Sequence, residues 1–202
     1  MIFDDVVVLD FKSLYPSIMR TFHIDPLALA RGALEANPIG GFDGGQFARD
    51  ETILPDLIAT LWQARDKAKA TNDAIMSQAI KIIMNSFYGV LGTPSCRFLD
   101  TRLVSSITKR GHQIIQESQR YLEDKGFPVI YGDTDSVFVL VPSRALPEQE
   151  NNPRPANRGQ AIAVLSTQLA DEMTQWWRNK ILKEHGVTSY LEMEFETHFS
   201  KF

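Results

Sequence analysis

The sequence predicts an α+β fold in which antiparallel strands are backed by helices and interrupted by a two-helix insertion. Three observations predict it. The apolar run Val6-Val7-Val8-Leu9 has strand length and ends at an acidic residue, Asp10. A pattern of strand, tight turn and strand follows far downstream, with apolar stretches at 127–130 and 137–141 flanking Tyr131-Gly132-Asp133-Thr134-Asp135-Ser136. Two segments of helical period, about 54–70 and 73–89, are separated only by Thr71-Asn72. A chain of 202 residues with 44% hydrophobic content has enough apolar material for a sizeable core.

Taken in order, the first strand covers about 5–10, and a helical turn begins near Tyr15-Pro16-Ser17, where proline suits a helix start. Residues 24–51 hold Pro26, Gly32, Pro38, Gly40, Gly41, Gly44 and Gly45 and predict a connector with little regular structure. The helical pair follows, its second member predicted to stop at Gly89 as a C-terminal cap. A third helix spans about 101–125 and ends at Gly126, leading into the acidic hairpin. Residues 142–159 carry four prolines and predict an exposed loop. Ile162, Leu165, Leu169 and Met173 mark a helix over about 160–185, with Trp176 and Trp177 as core or domain-contact residues, and 190–196 alternates as a last strand.

No apolar stretch approaches the ~20 residues of a membrane span, and a single cysteine, Cys96, leaves no partner for a disulfide within the chain. Both features fit a cytoplasmic protein with no membrane partner. The formal charge of −4 runs against nucleic-acid binding, yet its distribution is uneven. Residues 62–92 hold Arg65, Lys67, Lys69 and Lys81 against Asp66 and Asp73, and residues 97–120 are again basic.

The chemistry-bearing residues lie in three strings. Asp133 and Asp135, two apart, would share a face if extended geometry continued through the turn, and a divalent cation would relieve their repulsion. Gly, Asp and Ser are equally the residues that hairpin turns use for their own sake. Asp10 at a strand end fits a ligand or a helix cap. Between them lies Lys81-Ile82-Ile83-Met84-Asn85-Ser86-Phe87-Tyr88-Gly89. At 100° per residue Lys81, Asn85 and Tyr88 fall within ~60° and form one polar face, beside a packing face of Ile80, Ile83, Met84 and Phe87.

The string Asp10-Phe11-Lys12-Ser13-Leu14-Tyr15-Pro16-Ser17-Ile18 resembles the first palm motif of family B DNA polymerases, Lys81 to Gly89 the second, on a fingers helix, and Tyr131 to Ser136 the third. Order and spacing agree, and the resemblance runs from about Val6 to Phe199. Where many archaeal and eukaryotic members have arginine after the glycine matching Gly111, this chain has His112, as in the bacterial branch. The implied organisation is palm (1–51), fingers hairpin (52–92) and palm again (93–202).

The resemblance implies template-directed transfer of a dNTP to a primer 3′-hydroxyl in DNA replication or repair. Two Mg2+ ions, replaceable by Mn2+, would lie ~3.5–4 Å apart. Asp10 and Asp135 would contact both ions, with Asp133 nearby and the Phe11 carbonyl completing the nucleotide-side ion. Arg65, Lys69 and Lys81 would hold the β- and γ-phosphates, with backbone amides of Ser13 and Leu14 approaching the phosphate tail. Tyr15 would lie under the sugar as a steric gate, with Tyr88 against the new base pair and Asn85 supporting the pocket. Glu192, Glu194 and Glu196 share one strand face if alternation holds, which fits either a solvated edge or support of the metals by Glu194.

The implied partners are primer-template DNA, dNTP and, for an intact protein, a sliding clamp, in a bacterial cytoplasm at the nucleoid. The exonuclease and thumb domains of such proteins, and their basic primer-contacting strand, would lie outside these residues, so the piece alone is expected to be inactive. A metal-dependent nuclease would also cluster carboxylates, but would not need the face of Lys81, Asn85 and Tyr88. A scaffold without chemistry would not need both Asp10 and Asp135.

Overall fold

The computed structural model describes residues 2–146 and 158–202. Most of the loop expected at 142–159 therefore lies outside the described residues; a 3-10 turn at Ser143–Ala145 follows Pro142, and Gly159 is already helical. The chain divides into two compact units. The first comprises Met1–Lys12, His112–Asn179 and Glu192–Phe202, and the second Ser13–Gly111 and Lys180–Leu191.

The first unit is built on a four-stranded antiparallel sheet. Strand β1 (Asp4–Phe11) is an inner strand, and its apolar run is buried along nearly its whole length. On one side it pairs with β5 (Ser136–Leu140), which pairs in turn with β4 (Val129–Gly132); on the other it pairs with β6 (Met193–Lys201). The hairpin strands thus start and stop a residue or two away from the sequence expectation, and the last strand begins at Met193 because residues before it are joined by side chains. Thr174 Oγ1 accepts from the Met193 N–H at 3.0 Å, and Thr21 Oγ1 in the second unit accepts from the Tyr190 N–H at 2.9 Å.

Helices α5 (Thr101–Asp124) and α6 (Arg158–His185) contribute residues to both units. In the first, α6 buries Ile162, Leu169, Met173 and Trp177 at helical spacing, and the Trp177 indole donates to Ser118 Oγ on α5 at 2.9 Å. The core role expected of the tryptophans holds for Trp177, with Trp176 stacked 4.7 Å from Tyr121. Gly126, with φ +84, ends the α5 region as the sequence predicts.

In the second unit α1 (Leu14–Thr21) begins where proline suggested. The expected structureless connector is corrected. It contains α2 (Pro26–Gly32) and a small hairpin of β2 (Ile39–Gly40) and β3 (Gln46–Phe47). Pro26 acts as a helix starter there instead of a breaker, because Asp25 caps it: Oδ1 accepts from the N–H groups of Leu27 (2.7 Å) and Ala28 (3.0 Å). The other oxygen, Oδ2, accepts from Ile53 (3.2 Å) and Leu54 (2.7 Å), at the start of α3 (Leu54–Ala70). One fully buried carboxylate thereby satisfies the beginnings of two helices.

Helix α3 and helix α4 (Ala74–Leu91) form the expected hairpin, turning through Asn72 at φ 56. Two details differ. Gly89 lies inside α4, and Gly92 caps it, its N–H donating to the Tyr88 carbonyl at 3.2 Å. Of the expected packing face, Ile80 and Met84 are buried with Leu91, whereas Ile83 is 47% exposed: the buried stripe is narrower than the apolar one. Ile75, Ile82 and Val90 are exposed as well. By length and composition alone, α4 is long and apolar enough to cross a membrane, where the sequence reading expected no apolar stretch of that length; Ser77, Gln78, Lys81 and Asn85 interrupt it.

Replacing Asp25 by Ala leaves four N–H groups without their acceptor and should lower stability by about 3–4 kcal/mol, read as a shift of the urea midpoint at unchanged slope. Asp25→Asn, which keeps an acceptor, should lose about half as much. A loss under about 1 kcal/mol for Asp25→Ala would show that the two helix starts hold without the carboxylate.

Candidate active site

The acidic residues gather at one end of β1. Asp10 is opposite Ser136 on β5 and opposite Glu194 on β6. The Phe11 N–H donates to the Asp135 carbonyl at 2.8 Å, and Phe11 itself is buried, opposite Met193. Neighbouring strands lie about 4.8 Å apart and directly opposed residues share a face, so Asp10 and Glu194 are cross-strand neighbours of like charge. Glu194, the lesser candidate from sequence, is thus beside Asp10.

Two expectations about this end of the sheet need correction. Extended geometry does not continue through the hairpin, so Asp133 and Asp135 do not share a strand face. The Asp133 N–H donates to the Ser136 carbonyl at 2.9 Å, and its Oδ1 accepts from the Thr134 N–H at 2.7 Å, giving Asp133 a turn-forming role. Nor do the three glutamates form one ladder. Glu192 precedes β6, and Glu196 is the extra residue of a bulge, since Leu9 pairs with Phe195 and Val8 with Thr197.

Lys12 was overlooked as a member of this group. Its Nζ lies 3.4 Å from Glu192 Oε2 and 3.6 Å from Glu194 Oε2. Spacing gave no signal for it, since Lys12 follows the end of β1 and its partners lie far along the chain.

Among the described residues, no three His, Cys, Asp or Glu side chains converge closely enough to hold a metal ion. Magnesium does not require such a cage. It uses one or two carboxylates and completes its shell with water and substrate phosphates, so the hard-oxygen set of Asp10, Asp135 and the Phe11 carbonyl fits it.

The remaining candidates belong to the second unit. Ser13 adopts the left-handed conformation (φ 48) at the N-terminus of α1 and makes no capping bond with its side chain. Leu14 opens the helix and is buried. The Tyr15 ring lies 4.6 Å from that of Tyr88, tilted by 53°. A Cβ on Gly111 would come within 3.2 Å of Tyr15 Cε1, so a glycine in α5 makes room for the Tyr15 ring, a link that spacing alone does not reveal. On α4, Lys81 and Asn85 are exposed and Tyr88 is half-buried, as the polar face predicted. On α3, Arg65 is half-buried and Lys69 exposed.

Among the described residues, two buried side-chain polar atoms lack a hydrogen-bond partner: Ser13 Oγ and Arg65 Nε. Both belong to residues for which the family resemblance implies contact with the triphosphate. Buried polar atoms are nearly always paired, and leaving one unpaired costs about 1–3 kcal/mol, so each calls for an explanation.

Three cations of the segment counted as basic, 97–120, have protein partners. Arg110 is buried, donates to the Gly40 carbonyl at 2.8 Å and stacks on Phe22 and Phe42. Arg102 pairs with Asp100, and Lys109 with Asp43; hydrogen bonds from Lys109 and then Ser105 hold the Asp43 carboxyl below its ordinary range.

The sequence model of DNA polymerase family B matches residues 2–151. The chain belongs to this family. DNA polymerase II of Escherichia coli K12 is 44% identical over all of this chain and 24% of its own length. A DNA polymerase of Thermococcus gorgonarius is 36% identical over 70% of this chain and 20% of its own. In structure, the family B DNA polymerase of the hyperthermophilic archaeon Pyrobaculum calidifontis superimposes with a TM-score of 0.64 over 99% of this chain and 24% of its own, at 22% identity, a likeness of fold. This family B chain therefore spans about a quarter or less of the relatives it matches.

Proposed function

We propose that this chain carries the nucleotidyl-transfer centre of a DNA-directed DNA polymerase. The observation that supports it most is the register that brings Asp10 beside Ser136 and Glu194 and ties Phe11 to Asp135, in a chain of family B. In this reading residues 1–51 and 93–202 are palm and 52–92 fingers.

Asp10 and Asp135, with the Phe11 carbonyl, would hold Mg2+ or Mn2+; Asp133 shapes the turn that presents Asp135. When bound, two such ions would favour ionisation of the primer 3′-hydroxyl and stabilise the charge of the leaving pyrophosphate. The protein's own residues bind and orient the nucleotide. Arg65, Lys69 and Lys81 neutralise the β- and γ-phosphates, the unpartnered Arg65 Nε supplying a donor already desolvated. Ser13, through its hydroxyl and amide, and the Leu14 amide face the phosphate tail at the start of α1. Tyr15 excludes a ribose 2′-hydroxyl, Tyr88 braces it and packs on the nascent base pair, and Asn85 lends hydrogen bonds to that wall.

The partners in this reading are primer-template DNA, dNTP and, for a longer protein, a sliding clamp, in replication or repair at a bacterial nucleoid. A membrane is not among them: Lys81 and Asn85 interrupt α4 near its middle, where burial in lipid is costly.

Asp10→Asn and Asp135→Asn in a full-length protein should each lower primer extension by several orders of magnitude, with Asp133→Asn milder. Near-normal extension by either of the first two would remove that residue from the centre.

For Tyr15→Ala the quantity to measure is the ratio of specificity constants for ribonucleotide and deoxyribonucleotide. It should shift toward the ribonucleotide, and an unchanged ratio would make Tyr15 a packing residue.

The 202-residue chain alone should extend a primer at least ~1000-fold more slowly than the full-length protein, because duplex positioning can account for ~7–11 kcal/mol and its net charge of −4 offers no substitute. Processive synthesis by the purified chain at moderate salt would overturn this.

A further inference from the structure

We infer that Lys12 is a resident counter-cation of the carboxylate face, a positioning residue that competes with divalent metal and thereby weakens its binding at Asp10. The inference rests on the reading of Asp10 as a metal ligand.

Three acids meet on that face. Asp10 stands opposite Glu194, and the pairing runs on past β1, since the Lys12 N–H donates to the Glu192 carbonyl at 2.9 Å. Lys12 is therefore opposite Glu192 and diagonal to Glu194, and its ammonium group reaches both carboxylates, 3.4 and 3.6 Å away. Directly opposed like charges destabilise a sheet, so Asp10 and Glu194 require a neutralising charge nearby. Lys12 supplies it from the protein itself.

As a folding device the group is weak. All three side chains are at least one-third exposed, and ion pairs in that setting contribute little to stability. The consequence of Lys12 is electrostatic. It cancels part of the negative potential that draws a dication to Asp10, and it holds Glu192 and Glu194 on itself. Removing its charge should tighten metal binding, whereas removal of a merely structural prop would loosen or leave it. The sign of the effect decides between the two roles.

The test is titration of the 202-residue chain with Mn2+, with free Mn2+ read by electron paramagnetic resonance. Lys12→Met should bind Mn2+ about threefold to tenfold more tightly, the size expected of one unit charge in largely aqueous surroundings. Lys12→Gln, closer in polarity, should tighten it likewise, and Lys12→Arg should stay near the starting affinity. Adding Asp10→Asn should abolish the gain. Unchanged or weaker binding in both neutral variants, with Asp10→Asn weakening Mn2+ binding on its own, would overturn the counter-cation and leave Asp10 a ligand. Binding indifferent to Asp10→Asn would overturn both.

Discussion

The two-sided pairing of β1 is the constraint on which the acidic site depends. Asp10 has a defined setting only because β5 and β6 are both in register with the same strand, and a slip of one residue on either side would exchange the faces of every side chain involved. The bulge at Glu196 sets the register of β6, adjusting it between Val8 and Leu9 so that Glu194, and not a neighbour, stands opposite Asp10. The far end of β1 is tied down independently. Asp5, buried and held in the left-handed conformation at φ 55, accepts from Arg158 Nε at 2.9 Å and lies 3.0 Å from His198 Nε2 on β6. The side-chain anchor on one side of the bulge and the backbone pairing that continues to Lys12 and Glu192 on the other leave β6 little freedom to slide.

The second unit solves a related problem with one carboxylate. Asp25 terminates no strand and touches no substrate in our reading, yet it fixes where α2 and α3 begin. The start of α3 determines which residues the helix presents along its length, Arg65 and Lys69 included. At the other margin of the unit, Arg49 donates to the carbonyls of Asn37 and His185, joining the segment after β3 to the end of α6. Polar groups thus do the positioning where the apolar pattern is too short to specify it.

What could be read from the sequence follows the same division. Long periodic segments were legible: the inner strand, the α3 and α4 pair, and the helix bearing Trp177 announce themselves by uninterrupted pattern. The segment 24–51 was not, because a cap such as Asp25 converts Pro26 from a breaker to a starter, and only a contact 28 residues away reveals that it does so twice. The acidic residues were legible as a set, through their motifs, but not their individual stations. Asp133 is bonded to the Thr134 amide within the turn and Glu196 falls on a bulge, since turn geometry and register are decided by the partner strand and leave no mark on spacing. Lys12 was hidden by the same limit, its partners lying 180 and 182 residues further along the chain.

Charge explains how an acidic chain accommodates a site that needs both cations and carboxylates. Most of its well-fixed basic groups have protein partners: Arg110 on Gly40 and two aromatic rings, Arg158 on Asp5, Arg102 on Asp100, Lys109 on Asp43. These cations belong to the scaffold and add little to the field an incoming anion meets. Arg65 differs, with an Nε that is buried and unmatched among the described residues, and Ser13 shares that incompleteness at the start of α1. Buried donors are nearly always paired, and folding gives no reason to leave the Arg65 Nε unsatisfied. An anion with several acceptor oxygens would satisfy it, which in the proposed reading is a triphosphate, and the cost of holding Arg65 and Ser13 unpaired in its absence would then be returned on binding.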